Sequence, residues 1–239
     1  MAGLLPQLKP FVGMLWAALG SKGTGEGEIW RRQVEVPLRW LSHLFGSTCS
    51  FASWRKFARP LIQVVIATDA SPFGGGALLW ILPSGASITL ELLLQRVPLG
   101  WAARTWTPED CHAAGAVIGE ASSQARWEAF ALVSAIHLWS GQVLAADGDT
   151  TMVTDALGVL CGAATLRNRD RAINTLLMDL ALLLAPSGRC VEGLHIWSEE
   201  NTEADALSRL CQGAVVPQRL SAIPRTAWPE AAWRKVRVR

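Results

Sequence analysis

His195-Ile-Trp-Ser-Glu-Glu-Asn-Thr-Glu-Ala-Asp-Ala-Leu-Ser-Arg209 is the stretch on which the reading of the fold turns. It closes an apolar run that begins at Cys190 and suits a strand, and it ends in a pattern that suits a helix from about Thr202 to Cys211. Asp205 therefore stands at the mouth of a helix just after a strand, where an acid needs a partner. Three more acids occupy similar settings upstream. Asp69 closes Leu61-Ile-Gln-Val-Val-Ile-Ala-Thr68, Asp155 closes Thr151-Met-Val-Thr154, and Glu128 lies early in a helical segment. Such carboxylates, if gathered, raise one another's pKa values unless cations neutralise them, so the set predicts a divalent-metal site.

From Leu61 the chain becomes strand-rich. Gln63 to Asp69, Gly76 to Leu82 and Ser87 to Leu94, with Pro83-Ser-Gly85 as a hairpin turn, predict three adjacent antiparallel strands. Residues 95–123 are interrupted by Pro98, Gly100, Pro108 and Gly115 and are expected to form a loop-rich insertion with one short helix. A long helix follows from Gln124 until Gly141, then a strand at Thr150 to Thr154. Helices are expected at about Ala156 to Leu166 and Arg169 to Ala185, and a fifth strand at Cys190 to Trp197 leads into the final helix. The order predicts an α/β fold with one mixed sheet. Ahead of it, residues 1–63 are expected to be a separate small helical segment. Val34, Val36, Leu38, Leu41, Leu44 and Phe45 make an imperfect helical stripe after the glycine-rich Gly20 to Gly27, and Arg55 to Arg59 lead through Pro60 into the first strand.

Half of the 239 residues are apolar, enough for one sizeable core and a smaller appendage. The longest apolar stretches, Phe11 to Leu19 and Thr175 to Ala185, fall short of the roughly 20 residues of a membrane span. The first ten residues lack the charged start and apolar block of a secretion signal, so an intracellular protein, cytoplasmic or nuclear, is expected. Cys49, Cys111, Cys161, Cys190 and Cys211 are odd in number and contain no Cys-x-x-Cys pair, which predicts reduced, mostly buried thiols. Twelve tryptophans without a tyrosine could offer stacking surfaces, although Trp127 and Trp197, which flank the acids, read first as core residues.

Charge is segregated more sharply than the net +2 suggests. Residues 1–63 carry eight Lys/Arg against three acids, residues 64–214 eight against sixteen, and residues 215–239 six against one. An acidic centre between basic arms suits a metal-dependent site acting on a polyanion.

Thr68-Asp69-Ala-Ser-Pro-Phe-Gly-Gly-Gly-Ala-Leu-Leu, Gln124-Ala-Arg-Trp-Glu128-Ala-Phe-Ala-Leu, Val-Thr-Asp155-Ala and the quoted stretch through Asn201-Thr-Glu-Ala-Asp205-Ala-Leu-Ser-Arg209 occur in that order. Together they resemble the ribonuclease H domain of retroelement reverse transcriptases, in a DIRS-like flavour, over about residues 64–211. Lys-Pro-Phe, Leu-Trp-Ala-Ala-Leu and Val-Pro-Leu-Arg-Trp-Leu in the N-terminal segment are similar to the connection region that precedes that domain. The resemblance implies a ribonuclease H-like mixed five-stranded sheet flanked by helices, over residues 64–214, between the connection-like segment 1–63 and a basic tail 215–239.

It also implies an endoribonuclease that cleaves the RNA strand of RNA–DNA hybrids with two Mg²⁺ or Mn²⁺ ions held by Asp69, Glu128, Asp155 and Asp205. Other nucleic acids, and the polymerase part of a reverse transcriptase, are the further expected partners. Ser71, among the small residues of the first turn, and Asn201 are expected to meet nucleic acid, and the tail residues Arg234 and Lys235 either to clamp phosphate or to belong to a disordered solubilising tail. Gly74 to Gly76 would let the backbone approach the sugar–phosphate chain, and Asn201 or Thr202 would cap the last helix. Two departures stand out. Compact members carry a histidine in the loop before the last acid, where this chain has Ser198-Glu-Glu200, and nothing resembles a polymerase catalytic turn. The contrasting expectation is an inactive module of the same fold that binds nucleic acid or serves as a scaffold, a retroelement remnant.

Overall fold

The computed structural model describes residues 8–19, 31–46, 62–83, 85–146, 150–187, 189–228 and 230. Five strands, β1 (Ile62–Ala70), β2 (Gly74–Pro83), β3 (Gly100–Thr105), β4 (Thr150–Thr154) and β5 (Val191–His195), form one sheet in the order β3-β2-β1-β4-β5. β1 pairs antiparallel with β2 and parallel with β4, β2 pairs antiparallel with β3, and β4 pairs parallel with β5. Helices flank this mixed sheet, which is the ribonuclease H-like arrangement expected. They are α1 (Lys9–Leu19), α2 (Arg31–Gly46), α3 (Leu90–Gln95), α4 (Pro108–Ala114), α5 (Gln124–Leu138), α6 (Ser140–Ala145), α7 (Leu157–Thr165), α8 (Arg171–Leu184) and α9 (Thr202–Ser208).

β1 is apolar from Val64 to Ala67 because it is covered on both faces there. Val64 and Ile66 join a core with Trp127, Phe130, Ile136, Leu176 and Leu180 from α5 and α8, while Val65 and Ala67 join a second core with Leu78, Trp80, Ala204 and Leu207. The ten residues Trp127 to Ile136 of α5 are all buried, so this helix has no solvated polar face to alternate with its apolar one. Phe11 of α1 and Trp40 of α2 belong to the first core, and Asn174 Nδ2 of α8 donates to the Pro10 carbonyl at 3.3 Å.

The third expected strand, Ser87 to Leu94, is not a strand. Thr89 accepts a hydrogen bond from the Leu92 amide at 3.2 Å and caps α3, whose leucines are good helix formers without β-branching. β2 therefore ends at Pro83 without the expected hairpin partner, and the next element is α3. The edge strand instead lies within the expected insertion, as β3, where Gly100-Trp-Ala-Ala-Arg-Thr105 carries little β-forming character. Pro108 and Gly115 are not interruptions but the start and end of α4. Thr107 and Asp110 make a reciprocal capping box, Pro108 opens the first turn, and Gly115 takes the left-handed C-cap conformation at φ 62°.

Cys161 and Cys211 are exposed and Cys111 and Cys190 half-buried, so the expectation of mostly buried thiols fails for the described cysteines. No helix among the described residues is long and apolar enough to cross a membrane.

Candidate metal centre

Sheet register brings the first two acids together. β1 and β4 are parallel with Ala67 opposite Val153, so two residues further along each strand Asp69 comes beside Asp155 at the same end of the sheet. Glu128 approaches from α5, one turn past its start. One carboxylate oxygen from each of Asp69, Glu128 and Asp155 lies within 4.8 Å of the other two. The trio can hold a metal ion: its donors are all hard oxygens, and two of the three side chains are buried.

Neighbours complete the geometry. Ser208 Oγ donates to Asp69 Oδ2 at 2.6 Å, Gln124 Nε2 donates to Glu128 Oε1 at 2.7 Å, and Ser198 Oγ donates to Asp155 Oδ2 at 2.5 Å. The second oxygen of Glu128, Oε2, is buried without a hydrogen-bond partner. Such an orphaned carboxylate oxygen is costly unless a proton or a cation meets it. Burial, opposed by the Ser208 hydrogen bond and reinforced by the charges of Asp155 and Asp205, pushes the Asp69 carboxyl up to about 7. Burial, then the charges of Asp69 and Asp155, hold Glu128 well above the ordinary carboxylate range. A divalent cation is the natural relief for both.

Asp205 stands apart from the trio. It is close enough for its charge to act on Asp69, but Arg209 Nε donates to its Oδ1 at 2.6 Å one helical turn away. That contact with Asp205 raises the Arg209 guanidinium still higher. The structure thus assembles three of the four expected ligands and places the fourth at their edge, neutralised by an arginine.

The residues expected to touch nucleic acid fare differently. Ser71 is almost fully buried: its hydroxyl donates to the Ser208 carbonyl at 2.9 Å and accepts from the Gly74 amide at 3.0 Å, tying the β1–β2 turn to α9. Asn201 is buried too, donating through Nδ2 to the Thr68 carbonyl at 3.0 Å. It sits at the N-cap of α9 but its side chain makes no cap hydrogen bond, so the capping expectation is not met. Both side chains are engaged within the protein beside the acids, Ser71 on α9 and Asn201 on β1. Arg234 and Lys235 lie outside the described residues.

The three glycines also answer to packing. A Cβ on Gly76 would meet the Ala204 carbonyl at 2.4 Å, one on Gly74 the Ser208 carbonyl at 2.8 Å, and one on Gly75 the Trp106 ring at 2.4 Å. They let α9 and Trp106 press on β2.

Of the two tryptophans expected in the core, Trp127 is there, stacked on Trp106 at 4.9 Å between centroids. Trp197 is not: 68% of it is exposed. His195, between strand and loop, has Nε2 3.2 Å from the Asp155 carbonyl oxygen, a positioning contact in keeping with a structural histidine.

Gln124 and Ser208 escaped the sequence reading although their spacing was informative. Gln124 stands one helical turn before Glu128, and Ser208 lies one turn after Asp205. Ser198 had no such signal. An open cleft of about 810 Å³ runs from Glu128 and Asp155 along Gln124, Ser122 and Leu157 to the exposed Arg169.

No family model matches the chain, and no curated protein matches it.

Proposed function

We propose that this protein is a divalent-metal-dependent endoribonuclease that cleaves the RNA strand of RNA–DNA hybrids, of the kind carried by retroelement reverse transcriptases. The observation that carries the reading is the convergence of Asp69, Glu128 and Asp155 from β1, α5 and the end of β4, with Glu128 Oε2 buried and unpartnered. The ordered resemblance over residues 64–211 selects this chemistry among those a carboxylate-held metal can serve.

Asp69, Glu128 and Asp155 would hold Mg²⁺ or Mn²⁺, and Asp205 would join the shell of a second ion by parting from Arg209. When bound, such ions act as Lewis acids on phosphoryl oxygens and lower the pKa of water. The chain's own residues supply the rest. Ser208, Gln124 and Ser198 fix the carboxylate orientations, Asn201 pins the loop before α9 to β1, and the cleft leads from the carboxylates to Arg169, a cation suited to a phosphate.

The test is incubation of the purified protein with end-labelled RNA–DNA hybrid, double-stranded RNA and double-stranded DNA, each with Mg²⁺, Mn²⁺ or chelator. Cutting of the hybrid's RNA strand to 3′-hydroxyl and 5′-phosphate ends, abolished by chelator, is the expected result. Undiminished cutting in chelator overturns the reading. The Asp205–Arg209 ion pair favours one second reading, a non-cleaving nucleic-acid-binding or scaffold module, which predicts hybrid binding without products under every metal condition.

A further inference from the structure

Trp197 begins the turn between β5 and α9, which is held by several hydrogen bonds. The Trp197 amide donates to Glu200 Oε2 at 2.8 Å, and the amides of Glu200 and Asn201 both donate to the Trp197 carbonyl, at 2.9 and 3.2 Å. Asn201 anchors the end of the turn on β1, and Ser198, the next residue, is bound to the Asp155 carboxylate. The indole meets the His195 ring edge-to-face, with centroids 5.6 Å apart and planes at 79°. His195 in turn contacts the Asp155 carbonyl oxygen.

The backbone that carries the ring is therefore held next to residues that contact Asp155, while the ring itself is mostly in water. A large aromatic surface in that state is disfavoured by hydration, and a backbone already anchored leaves less entropy to lose when something covers the ring. Leu157, two residues past Asp155 and lining the cleft, is 54% exposed, so a second exposed apolar side chain lies near that acid. The turn itself is acidic, with Glu199 exposed beside Ser198, which makes it a poor seat for phosphate but leaves the uncharged faces of a nucleotide as suitable partners.

We infer that Trp197 is a substrate-stacking residue: its indole covers the uncharged face of the nucleoside, base or ribose, that flanks the phosphate which metal bound by Asp69, Glu128 and Asp155 would hold. The inference rests on the proposed ribonuclease reading and adds a substrate contact to it. Aromatic stacking on a base or sugar tolerates any sequence, as a general hybrid nuclease requires.

Steady-state cleavage of a hybrid in Mg²⁺ by the wild-type protein, Trp197→Ala and Trp197→Phe tests it. Trp197→Ala should raise KM about 10-fold with little change in kcat, and Trp197→Phe should restore most of the loss. Thermal unfolding should hardly differ among the three, because the ring is exposed. A KM for Trp197→Ala equal to that of the wild type, or a Phe variant as impaired as the Ala variant, overturns the inference while leaving the ribonuclease reading intact. If the wild type cuts no hybrid, both fall. An abasic nucleotide moved along the RNA strand probes the same contact without altering the protein. A KM rise at one position in the wild type, absent in Trp197→Ala, assigns the contact to the base. If no abasic position raises KM while Trp197→Ala does, the contact is to the ribose.

Discussion

At the scale of single residues, Asp69 carries the chain's most legible physical consequence. Its carboxyl is raised from an ordinary 3.8 to about 7, mainly by burial. Between those values the unfolded chain releases a proton that the native site retains, so stability falls as pH rises from about 4 to about 7 and stays at its lower level above. At 1.36 kcal/mol per pH unit, the ceiling for this one group is roughly 4 kcal/mol. The metal-free protein should therefore unfold at lower temperature at pH 8 than at pH 5. Mn²⁺ should raise the midpoint at pH 8 far more than at pH 5, because protons and cations compete for the same oxygens. Thermal unfolding across pH with metal or chelator measures both, and Asp69→Asn should flatten the pH dependence. A wild-type midpoint independent of pH would show that these acids are not the buried, mutually repelling set described. Asp155→Asn should lower hybrid cleavage by at least about 100-fold, because the amide keeps an acceptor for Ser198 but loses the charge that binds cations. Near-normal turnover in that variant would remove Asp155 from the site.

The acids were readable because their position, at strand ends and a helix start, is a property of the local pattern. Which way a small polar side chain points is not. Ser71 follows β1 directly, while Trp197 and Asn201 lie in the turn between β5 and α9, and burial of Ser71 and Asn201 with exposure of Trp197 depends on α9 folding back over β2. Nothing in the neighbouring residues records that fold-back except Gly74 and Gly76, whose missing side chains make room for it.

At the scale of elements, the seating of α9 on β2 sets the distance between Ser208 and Asp69 and hence the geometry of the trio. Gly76→Ala tests this. The added methyl would stand 2.4 Å from the Ala204 carbonyl and 2.5 Å from Leu207 Cβ, neither of which is the end of a flexible side chain. The helix must shift, at a cost of about 1–3 kcal/mol, carrying Ser208 off Asp69 and Arg209 with it. Denaturant unfolding should show the loss of stability, and cleavage should drop further than stability alone explains. An unchanged midpoint would mean that α9 is not pressed on β2 as described. The same scale holds the one misplaced element. A run such as Leu90-Glu-Leu-Leu-Leu fits a buried strand or a short helix by hydropathy alone, and the Thr89 cap decides for the helix. The true edge strand, β3, is rich in alanine and glycine because Trp101 and Ala103 pack on one face and Ala102 on the other in narrow spaces beside the neighbouring helices. Five strands were expected and five are present among the described residues, but the third belongs some ten residues later than its hydropathy suggested.

At the scale of the whole molecule, the partition of charge outlasts any single contact. The acidic span 64–214 contains the carboxylate trio, and the basic spans 1–63 and 215–239 lie on either side of it in sequence. A polyanion drawn to such a chain must be held by cations remote from the acids, since the acids repel phosphate until metal is bound. Arg234, Lys235, Arg237 and Arg239 are the densest group of such cations. Deleting residues 234–239 should weaken hybrid binding while sparing turnover at saturating substrate. Each phosphate neutralised releases counterions, so losing four contacts should flatten the slope of log affinity against log salt by about 3–4, and by proportionally less if fewer of them reach the backbone. Binding of the full and shortened chains to a labelled hybrid at several salt concentrations reads that slope directly. Superimposable slopes would show that these residues do not touch phosphate, and would shift the holding of the duplex to the N-terminal cations and to Arg169 at the end of the cleft.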